Sequence, residues 1–294
     1  MSKQDIYQTV TNTIIEAIEN GQTADKFEMP WTGFSSIPLN AETGKTYRGI
    51  NIPVLWVTQM HKNYKSGYWG TYKQWQERGA QVKKGETGTQ IVFWKSFDVE
   101  PQGDNAEAET RMFARWSNVF NADQVEGFMI PDENTATGEA VIIESAEKFM
   151  TDTGAVIKKG GARAYYHTTE DYIALPDLSL FHDTKTSTAT EAYYSTAFHE
   201  MTHWSGAAHR LERTKGRKHG DSDYAYEELV AELGAAMLCA TLGISSSTRP
   251  DHAQYIDGWL KALKSDKKFI FSAASQAQKA ADYLTELQSR EAAA

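Results

Sequence analysis

The strongest chemical signal in the sequence is His199-Glu200-Met201-Thr202-His203. Histidines four apart on a helix share one face and stand one turn from each other. Two imidazoles so placed can hold one divalent metal, and Glu200, beside the first of them, can reach a water on that metal. Bound metal lowers the pKa of such a water to about 7. Glu200 is then expected to take its proton and hand it to the leaving amine of a peptide. The pattern should arise by chance in a chain of this length on the order of once in a hundred.

A third protein ligand is needed, and the residues allow two. His209 closes the longer pattern His199 to His209, in which a turn at Gly206 brings a third histidine back to the metal. Alternatively, Tyr224 to Glu232 supplies Glu228 as ligand, with Glu232 one turn on to orient a ligating histidine. Acids on an otherwise apolar helix need a buried partner, and a metal is one. A methionine turn, which the His209 option calls for, is not evident. Tyr224 lies four residues before Glu228, on the same helical face, and can offer a hydroxyl to an oxyanion. Two His and one Glu suit Zn2+, with Mn2+ or iron as other candidates.

These residues must be carried on helices. Periodicity predicts helices over 190–207, 224–242, 253–263 and 269–287, preceded by a short helix over 145–150, a strand over 155–158 and a hairpin of 163–167 with 171–175. The hairpin strand 171–175 is a candidate sheet edge for an extended peptide. Upstream, Ile6, Val10, Ile14 and Ile18 step by four, which predicts a helix over 5–20 stopped by Gly21. Helices over 51–62 and 71–78, a turn at Lys83-Lys84-Gly85-Glu86, strands over 89–97 and 112–120 and a loop over 98–110 complete a first α+β unit. The fold class expected is α+β in two domains: 1–128, a linker over 129–143 rich in turn formers, and 144–294 with a small sheet and mostly helices.

The chain has 294 residues, enough for about two domains. Its single cysteine, Cys239, excludes an internal disulfide framework and fits a reducing, cytoplasmic setting. The longest apolar run, Gly234 to Ile244, is too short for a bilayer, so no membrane partner is expected.

Net charge is −9, which on its face disfavours nucleic acid. The average conceals a local reversal. Between Lys45 and Lys95 there are nine basic and two acidic residues, a net of +7, together with nine aromatics. Single-stranded DNA asks for this mixture: cations for phosphates and flat rings for unpaired bases. Arg48, Lys62, Lys65, Tyr68, Trp69, Tyr72, Lys73, Lys83 and Lys84 are the candidate contacts. For any one aromatic, a place in the core is the competing explanation.

Several stretches together resemble ArdC-type antirestriction proteins of conjugative plasmids. They are Arg48-Gly49-Ile50-Asn51, Thr71-Tyr72-Lys73-Gln74, Lys83 to Gly88, Phe198 to Trp204, Arg210-Leu211, and Glu227 to Gly234. The resemblance implies an N-terminal domain that binds single-stranded DNA and a C-terminal zincin-like metallopeptidase domain, which protect incoming plasmid DNA from host restriction after conjugation. A restriction enzyme or another host protein bound to DNA is a candidate target, which the resemblance itself does not name. The resemblance also favours Glu228 over His209, because the Glu-Glu-Leu-Val-Ala-Glu run is typical of the family. The competing expectation is a protein that coats single-stranded DNA without proteolysis and whose metal is structural.

Overall fold

A computed structural model describes residues 5–23, 26–27, 29–99, 109–131, 139–184, 186–213, 222–247 and 255–291. The chain begins with helix α1 (Ile6–Asn20), two short paired strands β1 (Gln22–Thr23) and β2 (Lys26–Phe27), and β3 (Leu39–Asn40). Then come α2 (Asn51–Lys62), β4 (Tyr68–Thr71), α3 (Tyr72–Glu77), β5 (Gln81–Val82), β6 (Thr89–Val99), β7 (Glu109–Asn121) and β8 (Val125–Glu126). The remainder holds α4 (Glu139–Asp152), β9 (Val156–Lys159), β10 (Tyr165–His167), β11 (Tyr172–Leu175), α5 (Ala189–Ser205), α6 (Ser222–Thr241), α7 (Ile256–Ser265) and α8 (Phe269–Glu291). No helix among the described residues is long and apolar enough to cross a membrane. The α+β class is as the sequence implies.

Packing divides the chain into two compact units, and not in simple sequence order. One comprises 38–47 and 58–131; the other comprises 1–37, 48–57 and 132–294. The division expected at 1–128 and 144–294 therefore differs from the packing at the N-terminal end. The reason is α1. Its stripe of Val10, Ile14 and Ile18 is at most 3% exposed and packs against α7. Each such side chain contributes about 1.5–3 kcal/mol on burial. Tyr7 meets Phe271 edge-on at 4.7 Å, and Thr11 Oγ1 donates to the Lys267 carbonyl at 2.8 Å. The linker also ends earlier than expected, because α4 starts at Glu139 and the apolar run Ala140 to Ile143 belongs to it; residues 132–138 lie outside the described set. Within the expected loop 98–110, Asp98–Val99 and Glu109–Thr110 are instead paired strand, and 100–108 lie outside the described residues.

The unit of 38–47 and 58–131 is built on a four-stranded sheet in the order β3-β4-β7-β6, with β3 parallel to β4 and the other pairs antiparallel. Thr71 caps α3 in a reciprocal box with Gln74, so the helix starts as the strand ends. That places Trp75 over Gly70, with its indole N–H on the Phe120 carbonyl at 3.0 Å. The β5–β8 pair closes the far side of this small core of Trp75, Ala80, Val82, Ala122 and Val125.

In the other unit, a three-stranded sheet has the order β10-β11-β9. β11 is central, antiparallel to β10 and parallel to β9. The strand expected to be a free edge is therefore paired on both sides. Its residues Ile173, Ala174 and Leu175 are buried, as a central strand requires. Helices α5, α6 and α8 pack together beside it, and α5 contacts both β10 and β11.

Candidate metal centre

Helix α5 opens with a capping box, Thr188 with Glu191, and closes at Gly206. Nearly all its residues are buried, so the helix runs through the unit rather than along its surface. His199 and Glu200 are only 2% and 4% exposed. Helix α6 crosses it with Glu227, Glu228 and Glu232, all buried. Buried acids and imidazoles are costly unless they serve one another or a cation.

Three donors converge. His199 Nε2 lies 3.1 Å from His203 Nε2. Glu228 Oε2 lies 3.4 Å from the first and Glu228 Oε1 lies 3.6 Å from the second. A tetrahedral ion with ligands at roughly 2.0–2.2 Å separates them by roughly 3.3–3.6 Å; the two Glu228 distances match one ion, and the histidine pair is slightly tighter. Of the remaining ring nitrogens, His203 Nδ1 is 3.4 Å from Glu227 Oε1, within hydrogen-bond reach, while His199 Nδ1 is 3.9 Å from Glu232 Oε1, beyond it. A carboxylate behind a ligating histidine fixes its tautomer and raises its basicity.

The electrostatics agree with the geometry. Burial opposes charge on His203, yet Glu228, Glu227 and Glu200 outweigh it and hold the imidazole's pKa up at about 9. The pocket therefore favours positive charge, which a divalent cation supplies. Burial likewise opposes charge on Glu227, but His203 and Arg213 win and keep that carboxyl below its ordinary range. Arg213 is itself buried. It donates to Ser205 Oγ at 3.1 Å, to Glu227 Oε1 at 3.2 Å and to the Thr202 carbonyl.

Residues 206–213 fold back beneath α5. Arg210 lies 3.6 Å over the Trp204 ring and pairs with Asp171 at 2.6 Å. His209 does not reach the cluster: its ring is largely exposed and pairs with Asp171 at 3.2 Å. The structure therefore gathers Glu228 with the two histidines and leaves His209 outside. Tyr224 stands near Glu228, and its hydroxyl is 3.2 Å from that of Tyr255. Burial first, then these two neighbours, push the Tyr224 pKa upward, so the phenol stays protonated.

Sequence reasoning missed Glu227, Arg213 and Tyr255. Glu227 was visible only as one of two adjacent acids. Arg213 and Tyr255 reach the site through tertiary contacts that have no local periodicity.

The expected DNA contacts divide. Lys62, Lys65, Lys73, Lys83, Lys84 and Tyr72 are exposed. Lys65 Nζ donates to Asn63 at 2.9 Å, and Lys83 Nζ to the Asp123 carbonyl at 2.9 Å. Tyr68 is half-buried against Phe128. Trp69 is 0% exposed, so its ring offers no face to a base; the strand period turns it into the core beside Tyr64. Arg48 is ion-paired with Asp282 and belongs to the unit of 132–294.

Comparison with known proteins places these features. Residues 4–120 match the family model for the N-terminal domain of anti-restriction factor ArdC, and 144–276 match that for a zincin-like metallopeptidase. The uncharacterized protein y4eC of Sinorhizobium fredii is 44% identical over 97% of this chain and 93% of its own length. The DNA primase TraC of Escherichia coli is 34% identical over 96% of this chain but only 27% of the primase. The crystal structure of the ArdC protein from plasmid R388, metal-free, matches with a TM-score of 0.79 at 40% identity, covering 97% of this chain and 98% of that one. Its Mn(II)-bound structure matches with a TM-score of 0.74 at 39% identity over the same shares. With an ArdC N-terminal domain, a zincin-like domain and full-length similarity to a solved ArdC, the chain belongs to the ArdC family of antirestriction proteins.

Proposed function

We propose that this antirestriction protein combines a single-stranded DNA-binding domain with an active zincin-type peptidase site, and protects incoming plasmid DNA by acting on a host protein near that DNA. The observation that carries the reading is the convergence of His199, His203 and Glu228 beside Glu200. His199 Nε2, His203 Nε2 and a Glu228 oxygen would hold a divalent cation. Zn2+ suits two imidazoles and a carboxylate, and Mn2+, which the R388 protein binds in its Mn(II) structure, is the other candidate. Such a cation supplies Lewis acidity, polarising a carbonyl and acidifying water.

The chain's own residues do the rest. Glu200 accepts the proton of the attacking water on its carboxylate and returns it to the leaving amide nitrogen. Tyr224, kept protonated, donates a hydrogen bond to the carbonyl oxygen as it gains charge. Glu227 steadies the His203 imidazole, and Glu232 stands behind that of His199. Burial of the whole group excludes bulk water and strengthens each of these interactions.

Strand binding is supported by the +7 window and by the lysines that remain exposed. Its signature is a steep loss of affinity with salt, as released counterions require. The decisive experiment is Glu200→Gln in a conjugation assay into a restricting host. The variant keeps metal and DNA and is expected to lose protection. Protection that survives would mean the protein shields the strand by coating it, with a structural metal.

A further inference from the structure

Once Trp69 is assigned to the core, the rings available to bases must lie elsewhere. Beyond the edge of the small core around Trp75, the face of the β6–β7 hairpin that carries Trp116 is open at Trp116 and Asn118, although Val92 on the same face is buried. Residues two apart on a strand share a face. On β7 this face carries Trp116, Asn118 and Phe120, opposite Val92 and Gln90 of β6. Trp116 is 37% exposed and Asn118 is exposed, while Phe120 is half-buried. A Cβ on Gly88, which leads into β6, would stand 2.9 Å from Asn118 Cβ and 3.1 Å from Phe120 Cζ. The missing side chain is what lets Phe120 lie low across the sheet. Tyr72, 45% exposed at the start of α3, meets Phe120 edge-on at 6.4 Å and is held by Gln81 Nε2 on its hydroxyl at 2.9 Å.

We propose that Tyr72, Phe120 and Trp116 form a stacking row for a single strand of nucleic acid. The proposal rests on the strand-binding reading above and gives it a surface. Trp116 and Phe120 are roughly 13 Å apart along the strand, too far to share one base. The interval is filled by the amides of Asn118 and Gln90, which can both donate to and accept from base edges. Cations border the row: Lys73 follows Tyr72, and Lys84 sits in the turn that leads into Gly88, both exposed. Lys73 shares its charge only with surface Glu77 at 3.4 Å, a pair that water and salt loosen readily. A protein partner would use the apolar rings as well, but it would not need rings spaced by amides and flanked by lysines.

The test uses the full chain with two probes: an oligothymidylate, and a strand of equal length whose sugars carry no bases. Wild type is expected to prefer the strand with bases. Trp116→Ala and Tyr72→Ala should each weaken oligothymidylate binding by about 5- to 100-fold. The abasic strand should be held nearly as before, so the preference disappears. Trp116→Phe should retain most of it. If Trp116→Ala melts early, Tyr72→Ala carries the test from a separate element. Wild-type affinity for oligothymidylate in both alanine variants would overturn the stacking row and leave strand binding standing. A wild-type protein that holds neither probe would overturn strand binding itself, and the row with it.

Discussion

Gly234 of α6 lies against Thr202 of α5 so closely that a Cβ there would stand 2.6 Å from Thr202 Cγ2 and 2.7 Å from its Oγ1. Thr202 is fully buried and its hydroxyl donates to the Phe198 carbonyl at 2.8 Å, so it has little room to turn. This contact fixes the distance between the helix of His199 and His203 and the helix of Glu228. Gly234→Ala is a gain of about 1 kcal/mol on helix propensity alone. Overpacking instead costs about 1–3 kcal/mol. The variant is therefore expected to melt earlier and to hold metal more weakly, and Thr202→Ala in the same chain should restore both. A melting temperature unchanged by Gly234→Ala would contradict the close approach.

Metal should stabilise the fold through the three donors and no others. A ligand at 100 times its Kd adds about 2.7 kcal/mol to the folded state. Thermal melts with rising Zn2+ or Mn2+ should shift upward for wild type and for His209→Ala. They should stay flat for His199→Ala and Glu228→Ala. A flat response of His209→Ala would reinstate that residue as a ligand.

If the proposed site holds metal, Glu227 would act on it through His203, with Arg213 holding its carboxylate. Loss of such an orienting group typically costs about 10–100-fold in metal affinity. Glu227→Gln should show this in competition with a chromophoric chelator, without loss of the histidine ligands. Equal affinity in wild type and variant would reduce Glu227 to a packing role.

Asp171 gives a pH signature away from the metal. Its hydrogen bond to Arg210 outweighs partial burial and holds its pKa below the ordinary 3.8. A carboxylate depressed on folding adds stability above its unfolded pKa, and that stability drains away as pH falls through the folded value. Wild type minus Asp171→Asn should therefore show a stability difference that is constant near neutrality and shrinks below about pH 4. A difference that does not change with pH would exclude the ion pair as its source.

Much of this was legible in the residues, for reasons of period. The histidines four apart, the acid beside them and Glu228 on an apolar helix are local patterns, and local patterns survive folding. The helices over 5–20 and 51–62 follow from the same period. What was hidden depends on distant partners. Trp69 and Tyr72 lie in the same aromatic, basic window, but Trp69 is in β4, paired with β7, and turns inward, while Tyr72 opens α3 and stays outside. Strand 171–175 looks like an edge until β9 and β10 are laid on either side of it. Composition drew attention to 45–95, yet Trp116 lies beyond it and becomes prominent only through the register of β6 with β7.

The position of α1 has a consequence for how the molecule is made. Its apolar stripe leaves the ribosome before α7, which covers it and is encoded more than two hundred residues later. At about 5–20 residues per second the stripe waits on the order of tens of seconds. During that interval the unit of 38–47 and 58–131 can already close, while Val10, Ile14 and Ile18 remain sticky. A chaperone bound to the nascent stripe would find its client there.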